Sequence, residues 1–209
     1  MIKILIADDH AVVRKGLKQI LLEEFPAATI TEVGDAEDMV KQVMAEHWDV
    51  VISDLNMPGR SGLDALQQIR TSHPELPVLI LSVHPEEQYA IRVLKAGASG
   101  YLSKDSASDE LVKAVQRVLL GKKYISQAVA EKLATNFSGN TGKQPQEYLS
   151  DREFDVMKLL ASGKTISEIA EMRMLSVTTV STYRARVMAK LNMKTNADLT
   201  KFAIENKLI

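Results

Sequence analysis

Five short, strongly apolar runs separated by stretches of helical length and period constrain this chain more than any other feature. Ile2–Ala7, Thr29–Val33, Val50–Ser53, Val78–Ser82 and Gly100–Ser103 read as strands, three of them nearly continuous in apolar residues. Continuous runs mark strands buried on both faces, as in parallel sheets covered by helices. Residues 12–24, 36–46, 62–71, 86–96 and 108–120 carry the helical pattern, and Gly97 and Gly121 follow the last two at C-cap positions. Strict β-α alternation predicts an α/β fold, a doubly wound five-stranded parallel sheet with helices on both faces.

Beyond residue 121 the pattern changes. A helix-like piece around Gln127–Phe137 leads into Ser138–Pro145, which lacks any apolar side chain and cannot build a core, so residues 122–148 are expected to be a linker with a helical segment. Three capping boxes follow: Ser150 with Glu153, Thr165 with Glu168, and Thr195 with Asp198. Each places a hydroxyl and a carboxylate where the orphan N–H groups of a helix start need acceptors. With a further start at Ser176, residues 149–209 are expected to form a small all-α domain of four helices. Charge divides at the same place: residues 1–121 hold 12 Lys/Arg against 18 Asp/Glu, net −6, and residues 150–209 hold 10 against 7, net +3. Opposite signs point to two domains with different partners.

The chain has no cysteine, which excludes disulfides, thiolate nucleophiles, iron–sulfur clusters and the common cysteine-based zinc sites. Its apolar runs are too short to span a bilayer, and the start has neither the basic stretch nor the cleavage site of a signal peptide. A cytoplasmic location without membrane partners is expected.

The chemistry concentrates at strand ends. Asp8 and Asp9 follow the first strand, Asp54 ends the third, Ser82 the fourth, and Lys104 follows the fifth. In a parallel sheet these ends share one edge, the crevice where open α/β sheets bind ligands. Three carboxylates there repel one another unless a cation joins them. Oxygen-only ligands favour Mg²⁺. Such an ion would neutralise an incoming phosphoryl group and favour its attack by a carboxylate, while Lys104 and the Ser82 hydroxyl pair with its oxygens.

Asp8-Asp9-His10 with Arg14, Gly16 and Leu17, then Asp54-Leu55-Asn56-Met57-Pro58-Gly59, Ser82, and Gly97-Ala98-Ser99-Gly100-Tyr101-Leu102-Ser103-Lys104 resemble the receiver domain of two-component response regulators, a flavodoxin-like fold, over about residues 2–121. The resemblance implies that Asp54 is the phosphoacceptor. It also implies that Asp9, Asp54 and the Asn56 backbone carbonyl ligate Mg²⁺, with Asp8 acting through a bound water. Ser82 and Tyr101 would be the switch pair and Lys104 the phosphate-binding lysine. It further implies a sensor histidine kinase as phosphodonor and a homodimer formed on phosphorylation. Each piece has a plainer reading: the Asp-Asp pair as a helix start, Met57-Pro58 as a loop stop, and Tyr101 as a half-buried aromatic with a wet hydroxyl. Trp48 reads as packing and His10 as structural. His84, two residues past Ser82, stands where related receivers vary the residue that governs dephosphorylation.

Residues 150–209 resemble the DNA-binding domain of the NarL/LuxR type. Leu149-Ser150-Asp151-Arg152-Glu153 opens it, Gly163 ends its first helix and Glu168-Ile169-Ala170 lies in the second. Ile166 to about Arg173 would be the positioning helix of a helix-turn-helix, Met174-Leu175-Ser176 the turn, and Val177–Asn192 the recognition helix. That helix carries Arg184, Arg186 and Lys190 and no acid. Val177, Val180, Val187 and Leu191 form its expected core stripe. Thr178, Thr179, Ser181, Thr182, Tyr183, Arg184, Arg186 and Lys190 are then the expected DNA contacts. Many relatives carry Lys and His where this chain has Ser181 and Tyr183, so contacts assumed for those two positions do not carry over.

A transcription regulator, with RNA polymerase as a further partner, is the leading function. The chain is not expected to be an enzyme beyond its own phosphotransfer and slow dephosphorylation. An aspartate-dependent phosphohydrolase would want its nucleophile on the first strand and a lid, for which there is no room. A dinucleotide-binding enzyme would want a glycine-rich turn after that strand, where Asp-Asp-His stands. A helical module that binds another protein is separated from the leading function by a test of direct DNA binding.

Overall fold

The computed structural model describes residues 1–131, 145–206 and 208–209. The linker expectation for residues 132–144, with most of Ser138–Pro145, lies outside the described residues. The chain divides into two compact units, Met1–Thr135 and Asn136–Ile209.

In the first unit, strands β1 (Lys3–Ala7), β2 (Thr29–Val33), β3 (Val50–Asp54), β4 (Val78–Ser82) and β5 (Gly100–Ser103) alternate with helices α1 (Ala11–Glu24), α2 (Ala36–Ala45), α3 (Gly62–Ser72), α4 (Glu86–Lys95) and α5 (Ala107–Leu119). All pairings are parallel, in the order β2-β1-β3-β4-β5. The doubly wound sheet expected from alternation is therefore present. Strands β1, β3 and β4 are apolar on both faces because both are covered. Ile4, Ile6, Val50, Ile52, Leu79, Leu81 and Leu102 pack with Leu17 and Leu21 of α1 and with Leu111, Val115 and Val118 of α5. Leu5, Val51, Ile80 and Tyr101 take the opposite face by the period-2 rule, where α2 packs on α3 and α4 lies against β5. Gly97 and Gly121 have the positive φ that ends a helix, 103° and 72°. Trp48 is buried, and its Nε1 donates to the Gln42 carbonyl at 3.0 Å.

The segment after α5 does not leave the sheet at once. The Tyr124 amide donates to the Ser99 carbonyl at 2.8 Å, bridging Gly100, and Lys123 Nζ donates to the Ala98 carbonyl at 2.7 Å. Gly100 permits this approach, since a Cβ there would meet Leu79 Cδ2 and the Tyr124 carbonyl oxygen, each at 2.8 Å. Residues 127–131 are helical and bury Val129.

In the second unit a short 3₁₀ turn, Pro145–Tyr148, precedes α6 (Asp151–Ala161), α7 (Ile166–Met172), α8 (Val177–Leu191) and α9 (Asn196–Glu205). Ser150, Thr165 and Thr195 each form a complete capping box with Glu153, Glu168 and Asp198. Ser176 caps α8 by accepting from the Thr179 amide. Phe154, Met157 and Leu160 of α6, Ile169 of α7, Val180 and Val187 of α8, and Leu199 of α9 form the core.

One core expectation fails. Val177 is 52% exposed, while Met188, absent from the expected stripe, is buried beside Val187 and Leu191. Val177 has the right angle about the helix axis but is the first residue after the cap. Angular periodicity is blind to where the core ends along that axis.

Candidate functional site

The carboxyl ends of β1, β3, β4 and β5 meet as the parallel topology requires. Asp54, the last residue of β3, is buried, and Asp8 just past β1 is 1% exposed. Lys104 Nζ lies 2.7 Å from Asp8 Oδ2 and 3.0 Å from Asp54 Oδ2. Its backbone amide donates to the Ser82 carbonyl at 2.8 Å, which aims the side chain across the crevice. Burial raises the Asp54 carboxyl above its ordinary value; Lys104 opposes this without cancelling it, and Asp8 adds to it. Burial pulls the Lys104 ammonium down, but the Asp8 and Asp54 carboxylates outweigh it and hold the ammonium above its ordinary value.

Asp8, Asp9, His10 and Asp54 each offer one ligand atom, all within 4.8 Å of one another. Three carboxylates against one ammonium leave a formal charge of −2, which matches a divalent cation. Lys104 holds Asp8 Oδ2 at 2.7 Å, which leaves Asp8 Oδ1 as the carboxylate oxygen on the side of His10. The residues present therefore fit the implied Mg²⁺, with one difference from expectation: an imidazole joins the oxygens. His10 is not a packed structural residue either, its side chain being 67% exposed.

The expected switch pair is joined through His84. The His84 amide donates to Ser82 Oγ at 3.1 Å, and the Tyr101 hydroxyl donates to the His84 carbonyl at 2.8 Å. The His84 ring stacks on Tyr89, centroids 4.6 Å apart, and its Nε2 lies 2.6 Å from Asn56 Nδ2. Tyr101 is 1% exposed. The half-buried aromatic with a wet hydroxyl does not describe it: the ring is enclosed and its hydroxyl is bonded to the His84 carbonyl. Strand alternation placed the ring, and the backbone turn at His84 supplied the acceptor.

A residue that sequence reading passed over lies against the backbone of Asp54 at the end of β3. Gly62, the first residue of α3, donates its amide to the Leu55 carbonyl at 3.0 Å, and a methyl group on it would overlap the Asp54 carbonyl oxygen. The signal available was a glycine opening a helix behind a Ser N-cap.

On α8, Thr178, Thr182, Ala185 and Arg186 are exposed, and Thr179, Ser181, Tyr183 and Arg184 are partly covered. Arg184 Nε donates to Asn196 Oδ1 at 3.0 Å, which leaves the rest of its guanidinium outward. Lys190 Nζ instead sits 2.6 Å from Glu153 Oε2, a carboxylate 3% exposed that also accepts from the Ser150 amide. Lys190 thus ties α8 to the cap of α6. Arg186 has no ion-pair partner among the described residues.

Fold, crevice and capped helices define a receiver followed by a helix-turn-helix. Residues 4–116 match the response regulator receiver domain and residues 147–203 the bacterial regulatory proteins of the luxR family, so the chain belongs to the DNA-binding two-component response regulators of the LuxR family. It is 38% identical over 214 residues to the oxygen regulatory protein NreC of Staphylococcus carnosus (strain TM300), covering 99% of each chain. It is 36% identical over 209 residues to the response regulator UvrY of Escherichia coli (strain K12), covering 100% of this chain and 96% of that one. Among solved structures it is similar to RcsB of Salmonella enterica serovar Typhimurium bound to promoter rprA with the phosphomimetic BeF3⁻, with a TM-score of 0.64 and 26% identity over 97% of this chain and 98% of that one. Among the described residues no helix is long and apolar enough to cross a membrane.

Proposed function

We propose that Asp54 accepts a phosphoryl group from a sensor histidine kinase, and that this promotes dimerisation and control of transcription through α8. The observation that carries the proposal is the convergence of Asp8, Asp54 and Lys104 at one sheet edge within ion-pair distance. An Asp54 carboxylate oxygen bonds to phosphorus as the donor's P–N bond breaks, and the proton needed by the leaving imidazole comes from the donor side or water. Asp9, Asp54 and the Asn56 carbonyl, with Asp8 through a water, would hold Mg²⁺, which screens the carboxylates and the incoming phosphoryl oxygens when bound. Lys104, held between Asp8 and Asp54, pairs with a phosphoryl oxygen. Ser82 and Tyr101 respond together because each is bonded to His84.

One small helix-turn-helix per chain covers too little DNA for high specificity, which supports a dimer on two half-sites. RcsB bound to a promoter is a precedent in a similar protein. The domain limits 1–121, 122–148 and 149–209, a cytoplasmic location, slow self-dephosphorylation and contact with RNA polymerase belong to the same proposal.

With a small phosphodonor and Mg²⁺, the full chain should become labelled and bind its operator more tightly, and Asp54→Asn should do neither. Labelling that persists in the variant, or affinity indifferent to labelling, overturns the proposal. The DNA interface has its own readout. Arg186→Ala should lower the salt slope of log K by about 0.9 for each phosphate that the side chain neutralises, whereas Lys190→Met should leave the slope unchanged because its ammonium serves Glu153.

A further inference from the structure

The geometry points to an imidazole ligand in the receiver crevice: His10 makes this site prefer borderline first-row ions such as Co²⁺ and Zn²⁺ over Mg²⁺ more strongly than its carboxylates alone would. The inference rests on the metal-binding reading proposed above and deepens it.

His10 is the N-cap of α1, with φ −93° and ψ 105°, and its side chain makes no capping hydrogen bond. A residue at that position ordinarily turns an oxygen toward the amides of the first turn. His10 instead has its backbone amide tied to Asp8 Oδ1 at 2.8 Å, which sets its ring over the crevice. Its Nδ1 lies 2.8 Å from Asp9 Oδ1 and 3.3 Å from Asp8 Oδ1. With Asp54 included, the four ligand atoms fall within 4.8 Å of one another. Atoms bound at about 2.1 Å to one ion lie at most about 4.2 Å apart. A closure of a few tenths of an ångström then brings all four to a single centre.

The donor set decides the ion. Carboxylates and carbonyls suit Mg²⁺, whereas imidazole adds little for that hard cation and much for zinc, cobalt and nickel. At 2.8 Å from the Asp9 carboxylate oxygen, Nδ1 carries a proton that it donates in the ion-free site, so an ion bound through Nδ1 displaces that proton and leaves the ring protonated on Nε2. Lys104 stays on the far oxygens, Asp8 Oδ2 and Asp54 Oδ2, and does not compete for the ring.

The test titrates the full chain, stripped with a chelator, with Mg²⁺ and separately with Co²⁺ in a calorimeter, comparing wild type with His10→Ala. Removing the imidazole should weaken Co²⁺ by about tenfold or more and change Mg²⁺ by less than about twofold. In the wild type, Zn²⁺ should shift the Nδ1 resonance of His10 where Mg²⁺ does not. An unchanged Co²⁺-to-Mg²⁺ affinity ratio, or a Zn²⁺ shift confined to His47, His73 or His84, overturns the role of His10 while leaving Mg²⁺ binding intact. If neither ion binds the wild type, the metal reading itself falls, and this inference with it.

Discussion

Gly62→Ala should destabilise the receiver unit by about 3 kcal/mol and slow phosphoryl acceptance at Asp54. The added methyl would overlap the Asp54 carbonyl oxygen and lie 2.8 Å from Ser53 Oγ. Neither is the free end of a flexible chain, so backbone has to move. The choice is between separating α3 from β3, breaking the Gly62-to-Leu55 bond, and displacing Asp54. For a domain of this size such a loss corresponds to about 10–20 °C in Tm. Trp48, the only tryptophan, is buried in this unit, so its fluorescence reports the receiver transition without interference from the helical unit. A variant that melts with wild type and labels at the wild-type rate would show that α3 can slide freely.

Glu153→Ala is expected to have the second large effect, confined to the other unit. The carboxylate closes the capping box of α6, accepting from the Ser150 amide at 2.7 Å, and receives Lys190 Nζ at 2.6 Å. Loss of a cap costs about 1 kcal/mol, and loss of one partner from a fully buried ion pair costs about 3–5 kcal/mol. Lys190 is 41% exposed, so solvent takes over much of its charge and a total of about 2–3 kcal/mol follows. A helical unit of about sixty residues has little more than that to lose. Far-UV circular dichroism should show its transition moving to lower temperature while Trp48 fluorescence is unchanged. Glu153→Gln, which keeps an acceptor for the Ser150 amide, should lose about half as much.

The same pair gives the unit a pH dependence. Burial pushes the Glu153 carboxyl up, but the Lys190 ammonium and the Ser150 amide outweigh it and hold the carboxyl below its ordinary 4.5. A depressed carboxylate contributes stability that is fully present above the ordinary value and lost as pH falls through the folded one. Wild type should therefore lose its advantage over Glu153→Gln below about pH 4.5. An advantage independent of pH would assign the effect to packing.

How much of this was legible in the sequence depends on the range of each interaction. The strands could be bounded to within a residue because burial on both faces writes itself into consecutive apolar residues, as in Val78–Ser82. The convergence of Asp8, Asp54 and Lys104 followed from topology, since parallel strands put their carboxyl ends on one edge. Capping boxes are local, so all three could be read. What stayed hidden joins residues far apart in the chain. Lys190 and Glu153 are 37 positions apart, and nothing near Lys190 distinguishes it from a solvated cation. Tyr101 needed the carbonyl of His84, 17 positions away. Gly62 needed the backbone of Asp54, which no side-chain pattern records.

The bridge between Tyr124 and Ser99 determines where load enters the receiver. A tether leaving from the end of α5 would pull on a helix terminus and spend itself in fraying. Here, behind the helical piece at residues 127–131, the bonds that anchor the segment to the sheet are those to the Ser99 and Ala98 carbonyls just before β5. Ser99 is two residues from Tyr101 and five from Lys104. A tug on the tether is thus delivered to the strand that holds the enclosed tyrosine and the crevice lysine. A shift of that strand is, in turn, felt first at the root of the tether. The β5 side of the sheet and the handle of the unit are joined through one backbone bridge.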